Sequence, residues 1–239
     1  MITYKDLQIL FEDNHLLVVV KPTDVPVQAD DSGDADMLTM LKQYLVEKYN
    51  KPGDAYLGLV HRLDRPTGGV MMFAKTSKCA ERLCEAIKNG DVDKKYLAVL
   101  DGVPRYKADK LCCHLKKFSD TNTVRIVPAL TEGAKYAELD YKMLSEKDGR
   151  SLVSVKLITG RGHQIRVQMA GMGTQIAGDK RYGNGAKQRL PLCLWATELR
   201  LSHPISGKTM VFRVYPPEIA PWTSFNIDAF LKLSVPNDD

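Results

Sequence analysis

The stretch LVHRLDRPTGGVMMFAK, from residue 59 to residue 75, constrains the fold of this 239-residue chain most strongly. Two apolar runs, Leu57–Val60 and Val70–Phe73, flank a polar loop that contains a proline and two glycines. Short apolar runs bounded by such residues predict two strands that meet at a sharp connection.

Asp64 lies in this polar loop at the end of the first predicted strand, with Arg62 and Arg65 on either side. An opposite charge nearby lowers the pKa of an aspartate by about 1–3 units, so we expect both arginines to keep the carboxylate ionised. An anionic oxygen held by a rigid turn is a good nucleophile. It is equally suited to a surface ion pair, and the stretch taken alone leaves both roles open.

Composition and charge narrow the class of protein. Hydrophobic residues make up 44% and charged residues 26% of the chain, which is typical of a soluble globular protein. No run approaches the roughly 20 apolar residues of a membrane span, and no secretory signal opens the chain, so no membrane partner is predicted. The net charge of +5 permits an RNA or DNA partner without requiring one.

The five cysteines are odd in number and show no CxxC spacing. They predict reduced thiols in the cytoplasm rather than a disulfide framework. The run Cys112-Cys113-His114 invites a metal interpretation, but adjacent residues of a strand point to opposite faces. No second pair at ligand spacing accompanies it, so no metal site is predicted.

The remaining patterns alternate many short strands with irregularly inserted helices. They predict an α+β fold with a mixed or antiparallel sheet, and a single catalytic domain over residues 1–239 is the simplest organisation. The predicted elements include the hairpins Gln8–Glu12 with Leu16–Val20 and Ala134–Leu144 with Leu152–Thr159, and a helix over Met37–Tyr49. A second helix is predicted to be capped by Thr76 or Ser77 and to end at Asn89-Gly90.

Three polar loops, around Asp64, Arg166 and Asp179, each follow an apolar run, and Tyr96 opens a fourth run. Arginines, lysines and glycines recur in these loops, a pattern typical of a cleft that places one carboxylate against a polyanion. The glycines in residues 159–162 precede a predicted helix, where exposed backbone N–H groups suit a phosphate. An ordinary helix entry is an equal alternative at that junction.

Five ordered segments resemble the RluA-type RNA pseudouridine synthases, and the resemblance extends from about Gln8 to Pro217. HRLDRPTGGVMMFAKT resembles the signature loop of that family, and LITGRGHQIRVQMAGMGTQIAGDKRYG resembles its arginine loop with the Gly-Asp turn that follows. The five segments are Phe11–Val27, His61–Thr76, Lys94–Gly102, Leu157–Gly183 and Leu194–Phe212.

The resemblance implies isomerisation of uridine in tRNA or rRNA to pseudouridine, without cofactor or metal, in a fold whose helices and loops surround a central catalytic cleft. It implies that Asp64 is the nucleophile, that Tyr96 packs on the uracil and helps to remove the proton from carbon 5, and that Arg166 pairs with Asp64. Arg62 is expected to keep the target base out of the stack. The other residues assigned to substrate binding are His61, Arg65, Thr67, Arg161, His163 and Gln164.

The expected partner is an RNA stem-loop, with no obligate protein partner and a monomeric chain. The first family strand begins near Gln8, so we expect a stand-alone catalytic domain without an amino-terminal S4-like domain. Three positions depart from the family pattern and bear on phosphate and backbone contacts. Gly68 stands where serine is usual, Gly162 where threonine is usual and Gln168 where histidine is usual.

Two other functional classes compete with this interpretation. An RNA-binding protein of the same fold without catalysis is disfavoured, because Asp64, Tyr96 and Arg166 are all present. A glycosidase needs a second carboxylate across the cleft, and Asp179 is the loop residue available for it. The alternative role of Asp179 is to brace the turn GDKRYG, and we favour that role.

Overall fold

The structure is a computed structural model that describes residues 2–185 and 189–232. Its helices are α1 (Met37–Lys48), α2 (Ser77–Asn89), α3 (Gln164–Gly171) and α4 (Ile227–Lys232), with short 3-10 helices at Tyr4–Asp6 and Trp222–Ser224. Its strands are β1 (Gln8–Glu12), β2 (Leu16–Lys21), β3 (Gly58–Leu59), β4 (Gly68–Ala74), β5 (Asp93–Asp101), β6 (Ala108–Phe118), β7 (Thr123–Val127), β8 (Lys135–Lys147), β9 (Arg150–Leu157), β10 (Leu194–Ser202) and β11 (Thr209–Arg213).

The chain divides into two compact units. Unit 1 contains the described residues up to Lys94 together with Ala196–Val214, and unit 2 contains Lys95–Trp195 and the described residues from Tyr215 onward. Strand β5 therefore falls mainly in unit 2, and β10 mainly in unit 1. The interpretation of residues 1–239 as a single catalytic domain stays a prediction.

In unit 1 the strands follow the order β1-β2-β4-β10, with β3 paired to β4 and β11 paired to β10. The hairpin of β1 and β2 is the one predicted, and β2 pairs antiparallel with β4 from Leu16 opposite Ala74 to Lys21 opposite Gly69. Each residue of β4 is buried, because the apolar run GGVMMFA has neighbours on both edges. The loop that carries Asp64 therefore enters a rigid, fully packed strand.

Local capping sets the ends of the two unit 1 helices. The Asp36 side chain accepts a hydrogen bond from the Thr39 N–H and starts α1. The Thr76 side chain accepts from the Cys79 N–H and starts α2, and Gly90 ends α2 in the left-handed conformation at φ 83°. Both helices lie within one residue of the bounds predicted from the sequence.

In unit 2 the strands follow the order β5-β9-β8-β6-β7, and the pairings along this path are antiparallel. Asp148 and Gly149 both have positive φ, as a tight turn between β8 and β9 requires. Helix α3 packs on β6 and β7, where Leu115, Val124 and Val167 share one buried cluster. These features confirm the predicted α+β class and its largely antiparallel sheet.

No helix in residues 2–185 and 189–232 combines the length and the apolar character that crossing a membrane requires.

Gly69 of β4 lies against the backbone of Ala196 in β10, and this contact generates a stability prediction. Its φ is 120°, and a Cβ added there would overlap the carbonyl oxygen of Ala196 and lie 2.6 Å from its nitrogen. We expect Gly69→Ala to lower the free energy of unfolding by about 3 kcal/mol, because the strands must separate. Equilibrium denaturation in urea measures this loss.

Gly33→Ala is the matched control, because Gly33 also has a positive φ of 71° but has open space where a Cβ would lie. It should lose about 1 kcal/mol through backbone strain alone. Equal losses in the two variants would contradict the role of the close strand approach.

Candidate active site

The loop between β3 and β4 in unit 1 carries the first group of predicted site residues. The Thr67 N–H donates to the Asp64 carbonyl at 2.9 Å and closes a turn around Arg65 and Pro66. The Thr67 hydroxyl is buried and has no hydrogen-bond partner in the described part of the chain. This turn fixes the backbone on which the Asp64 side chain is mounted.

Lys21, the last residue of β2, is fully buried beneath this loop. Its Nζ donates to the carbonyls of Pro22, Arg65 and Thr67 at 2.8–2.9 Å. Burial lowers the pKa of Lys21 to about 7, against the opposing charges of Asp24 and Asp64. The three N–H donors of a protonated lysine match the three carbonyls, so Lys21 clamps both ends of the turn that follows Asp64.

His61 connects the start of the same loop to β4. Its Nε2 accepts a hydrogen bond from the Met72 N–H at 3.1 Å, which requires a neutral ring with its proton on Nδ1. Burial, with a smaller effect from the charge of Lys94, lowers the pKa of His61 to about 3. This contact gives His61 a positioning role, and its predicted role in substrate binding stays a prediction.

The two arginines beside Asp64 have other partners. Arg65 donates to the Asp24 carbonyl and the Ser32 hydroxyl, and pairs with Asp34 and Asp30 of the preceding acidic loop. The Arg62 guanidinium lies 3.5 Å from the Gln28 side-chain oxygen. Both arginines thus contact residues other than Asp64, and their predicted effect on the ionisation of the Asp64 carboxylate stays a prediction. Sequence neighbours on a tight turn diverge, and Arg65 instead holds the acidic loop.

The second group of predicted site residues belongs to unit 2, where Arg166 of α3 is the centre. Its Nε and NH2 atoms donate to the two carboxylate oxygens of Asp179, each at 2.8 Å, and both side chains are buried. The carboxylate also accepts the backbone N–H groups of Arg181 and Tyr182. Asp179 therefore braces the turn GDKRYG, as the sequence indicated, and orients Arg166 as well.

Burial by itself acts to raise the pKa of Asp179, but the hydrogen bonds and charge of Arg166 and the N–H groups of Tyr182 and Arg181 outweigh it. The pKa of Asp179 is therefore lowered. A glycosidase acid needs a raised pKa so that it can donate its proton, and Asp179 does not meet that requirement.

Tyr182 joins this pair to two further elements. Its ring packs 5.1 Å from the Arg166 guanidinium carbon, and its hydroxyl accepts the Val124 N–H at 2.9 Å. That hydroxyl is also 2.6 Å from the Nδ1 of His163, which has a positive φ of 53° at the entry of α3. The Tyr182 hydroxyl therefore joins β7 to the entry of α3 through one backbone and one side-chain contact.

The other predicted unit 2 residues occupy the entry of α3 and strand β5. The Gln164 side-chain oxygen accepts from the Arg161 N–H and the Thr159 hydroxyl, so Gln164 organises the glycine-containing junction. Gln168, which departs from the family pattern, donates to the Leu111 carbonyl. Tyr96 lies on β5 opposite Val155 with 6% of its surface exposed.

Comparison with known proteins decides the family. The family model described as RNA pseudouridylate synthase matches residues 15–171. An uncharacterized RNA pseudouridine synthase, YhcT, of Bacillus subtilis (strain 168) is 33% identical over 87% of this chain and 68% of its own length. The ribosomal large subunit pseudouridine synthase D of Zymomonas mobilis subsp. mobilis (strain ATCC 31821 / ZM4 / CP4) is 32% identical over 89% and 70%.

The chain belongs to the RNA pseudouridine synthase family. The solved structure of human RNA pseudouridylate synthase domain containing 4 agrees with its fold, with a TM-score of 0.75 and 25% identity over 88% of this chain and 89% of that one. The synthase is an isomerase that converts uridine in RNA to pseudouridine, as the sequence predicted. The individual roles of Asp64, Tyr96 and Arg166 stay predictions.

Sequence reasoning missed two residues that organise the loops of this synthase. Lys21 was not among the predicted site residues, because lysine is almost never fully buried unless it is paired, and its partners Arg65 and Thr67 lie far along the chain. Tyr182 was part of a recognised motif, but its contacts with Val124 and His163 come from elements far apart in the sequence. In residues 2–185 and 189–232 no group of three or more His, Cys, Asp or Glu side chains is arranged to hold a metal ion.

The hydrogen bond of His61 predicts an acid-sensitive synthase. An unfolded histidine has a pKa of about 6.5, so at a pH between about 6.5 and 3 the unfolded chain binds a proton that folded His61 does not. The free energy of unfolding should therefore fall as the pH is lowered through this window. His61→Gln keeps an acceptor for the Met72 N–H but does not titrate, so its slope should be smaller. Urea denaturation from pH 7 to pH 4 measures how the free energy of unfolding depends on pH in the wild type, in His61→Gln and in the control His114→Gln. The same pH dependence in all three proteins would show that His61 does not cause the loss of stability in acid.

The buried pair of Asp179 and Arg166 predicts a large effect of a small substitution. Asp179→Asn removes the charge that compensates Arg166 and should lower the free energy of unfolding by about 3 kcal/mol. Asp54→Asn makes the same change at an exposed pair with Lys42 and should leave stability near that of the wild type. Parallel urea titrations compare the free energies of unfolding of the two variants. Similar losses in Asp179→Asn and Asp54→Asn would show that burial does not determine how much an ion pair contributes to stability.

Proposed function

We propose that this synthase isomerises uridine in ribosomal RNA through nucleophilic attack by Asp64, without a cofactor. The observation that carries the proposal is the Asp64 loop itself: the motif HRLD ends in a hydrogen-bonded turn whose carbonyls are fixed by buried Lys21. A carboxylate on such a backbone loses little conformational freedom when it reacts. The name of the Zymomonas mobilis relative supports RNA of the large ribosomal subunit as the substrate, and tRNA is the other outcome of the test.

The chemistry of the isomerisation agrees with a site built from amino acids alone. The bond between ribose C1′ and uracil N1 breaks, the uracil rotates, and a bond forms between C1′ and C5. C5 loses a proton and N1 gains one, so atoms and electrons balance without an oxidant or a reductant. In this proposal the Asp64 carboxylate attacks either the sugar or the ring and leaves again as the new bond is completed.

The other site residues have supporting roles in the proposal. Tyr96 presents a ring against the uracil and a hydroxyl that helps to remove the C5 proton. Arg166 supplies the positive charge that keeps the nucleophilic carboxylate ionised, and its bidentate contact with Asp179 supports a fixed orientation of that charge. Arg62 occupies the place that the target base leaves in the RNA stack and keeps that base out of it. Substrate binding is assigned to His61, Arg65, Thr67, Arg161, His163 and Gln164.

The proposal also includes where and in what form the synthase acts. Each assigned residue comes from one chain, so a monomer suffices. The five cysteines are free thiols in the structure, which supports a reducing compartment such as the cytoplasm.

Asp64→Asn tests the proposal, because the amide keeps the size of the side chain and loses its nucleophilicity. Ribosomal RNA and tRNA from cells that lack this gene are incubated with each protein, and pseudouridine is mapped by carbodiimide modification and primer extension. Wild type and Asp54→Asn should modify the same ribosomal positions, and Asp64→Asn should be slower by more than about a thousandfold. Modification of tRNA alone would show that tRNA rather than ribosomal RNA is the substrate. Near-normal turnover by Asp64→Asn would overturn the role of Asp64.

A further inference from the structure

The solvent-facing side of β6, β7 and β8 in unit 2 carries aromatic rings and cations together. Register places His114 opposite Tyr136, and Lys116 opposite Arg125, on one side of these strands. On the alternate side Leu115, Val124 and Ala137 are buried in the core cluster with α3. We call the solvent side the outer face; its residues are His114, Lys116, Phe118, Arg125 and Tyr136.

The two cations of the outer face are not explained by the stability of the fold. Lys116 and Arg125 are directly opposite each other on adjacent strands, where like charges destabilise a sheet. The Arg125 guanidinium carbon lies 4.9 Å, and the Lys116 Nζ 5.7 Å, from the centre of the Phe118 ring. In the part of the chain that the structure describes, neither forms an ion pair with a carboxylate. Their positive charge is therefore available to an anionic partner.

The rings on the outer face form a platform next to these cations. Tyr136 is 43% exposed and packs edge-on against His114, with ring centres 5.6 Å apart. The Glu138 carboxylate accepts a hydrogen bond from the Tyr136 hydroxyl and forms an ion pair with Lys110 at 2.7 Å. The charge of Lys110 compensates that of Glu138, so Glu138 does not repel a phosphate bound nearby. An exposed ring beside phosphate-binding cations is the arrangement on which unpaired RNA bases stack.

The outer face is continuous with a loop already assigned to RNA binding. The Arg161 Nε donates to the Tyr136 carbonyl at 2.8 Å, so the arginine of the glycine-containing junction lies along the edge of the platform. An RNA strand that contacts Arg161 can continue onto Tyr136 without leaving unit 2.

We propose that the outer face binds single-stranded RNA next to the target uridine, with Lys116 and Arg125 on phosphates and Tyr136 stacked on an unpaired base. The inference rests on the proposed RNA substrate and adds a second contact surface to it. Contacts with phosphates increase the affinity for RNA but do not distinguish one base sequence from another. The outer face therefore contributes binding energy, and the active site selects the uridine. A duplex presents no free base face, so looped or single-stranded RNA is the class of ligand that fits.

Charge substitutions with a matched control test the proposal. Lys116→Gln combined with Arg125→Gln removes two charges from the outer face. Lys107→Gln combined with Lys147→Gln removes two exposed charges from the same unit, about 30 Å away along the strands. Binding of a fluorescein-labelled RNA stem-loop with a uridine-rich single-stranded loop is titrated at several KCl concentrations. This measurement needs no turnover, so it stands even if the role of Asp64 is overturned.

The outer-face variant should bind the RNA more weakly, and its plot of log affinity against log salt should be shallower by about 1.4, or about 0.7 for each lost phosphate contact. Its melting temperature should stay close to that of the wild type, because the repulsion that is removed offsets the lost cation–π contacts with Phe118. The Lys107/Lys147 variant should keep the wild-type affinity and slope. Equal affinities and slopes for the two double variants would overturn the proposal.

Tyr136→Leu separates stacking from charge. It should weaken binding by about fivefold or more and leave the salt dependence unchanged, since a lost stack removes no counterion release. At saturating RNA the turnover of each outer-face variant should equal that of the wild type, and the loss should appear in KM. Wild-type affinity in Tyr136→Leu would contradict the stacking contact.

Discussion

A buried lysine holds the loop that carries Asp64, the proposed nucleophile. Lys21 lies at the end of a strand whose neighbours are packed on both edges, and it donates to carbonyls on both sides of Pro66. A buried amine without partners would be costly, so the three carbonyl contacts are what allow it to remain there. Because those carbonyls belong to the turn that follows Asp64, the backbone of the proposed nucleophile is fixed by the core of unit 1.

The arginine loop of unit 2 follows the same principle with the charge reversed. Asp179 is buried and receives two N–H groups from Arg166 and two from the backbone of its own turn. Tyr182 then connects this turn to β7 and to His163. In each unit a buried ionisable side chain fixes a loop that the proposed mechanism uses. Networks of this kind are rigid only when every member has a partner, which explains why so many backbone groups are involved.

Strand alternation gives the β6–β8 region of unit 2 two separate uses. One side packs Leu115 and Val124 against α3 and thereby supports the helix that carries Arg166. The other side presents the rings and cations of the outer face to solvent. A substitution on the outer face can therefore change RNA affinity while the catalytic loop keeps its support. This separation is what makes the effects of binding and of catalysis distinguishable.

The sequence by itself determined the family and most of the elements, although some ends of β8 and β9 lie two or three residues from their predicted positions. Period-two and helical patterns, the cap of α2 and the turn at Asp148 depend on residues close in the chain, so local rules suffice to predict them. The motif around Asp64 was also recognisable, because its order along the chain carries the signal. The bracing role of Asp179 followed from the glycines on both sides of its turn.

Only the tertiary structure decided which side chains hold the functional loops. Lys21 contacts Arg65 and Thr67 more than forty residues away, and Arg65 is directed to Asp34 rather than to its neighbour Asp64. The opposition of Lys116 and Arg125 likewise depends on the register of a hairpin. Such contacts are set by which strands become neighbours and in which register, and no local periodicity contains that information. The physical reason is that burial makes a distant partner necessary, while the packing of the sheet selects which partner it is.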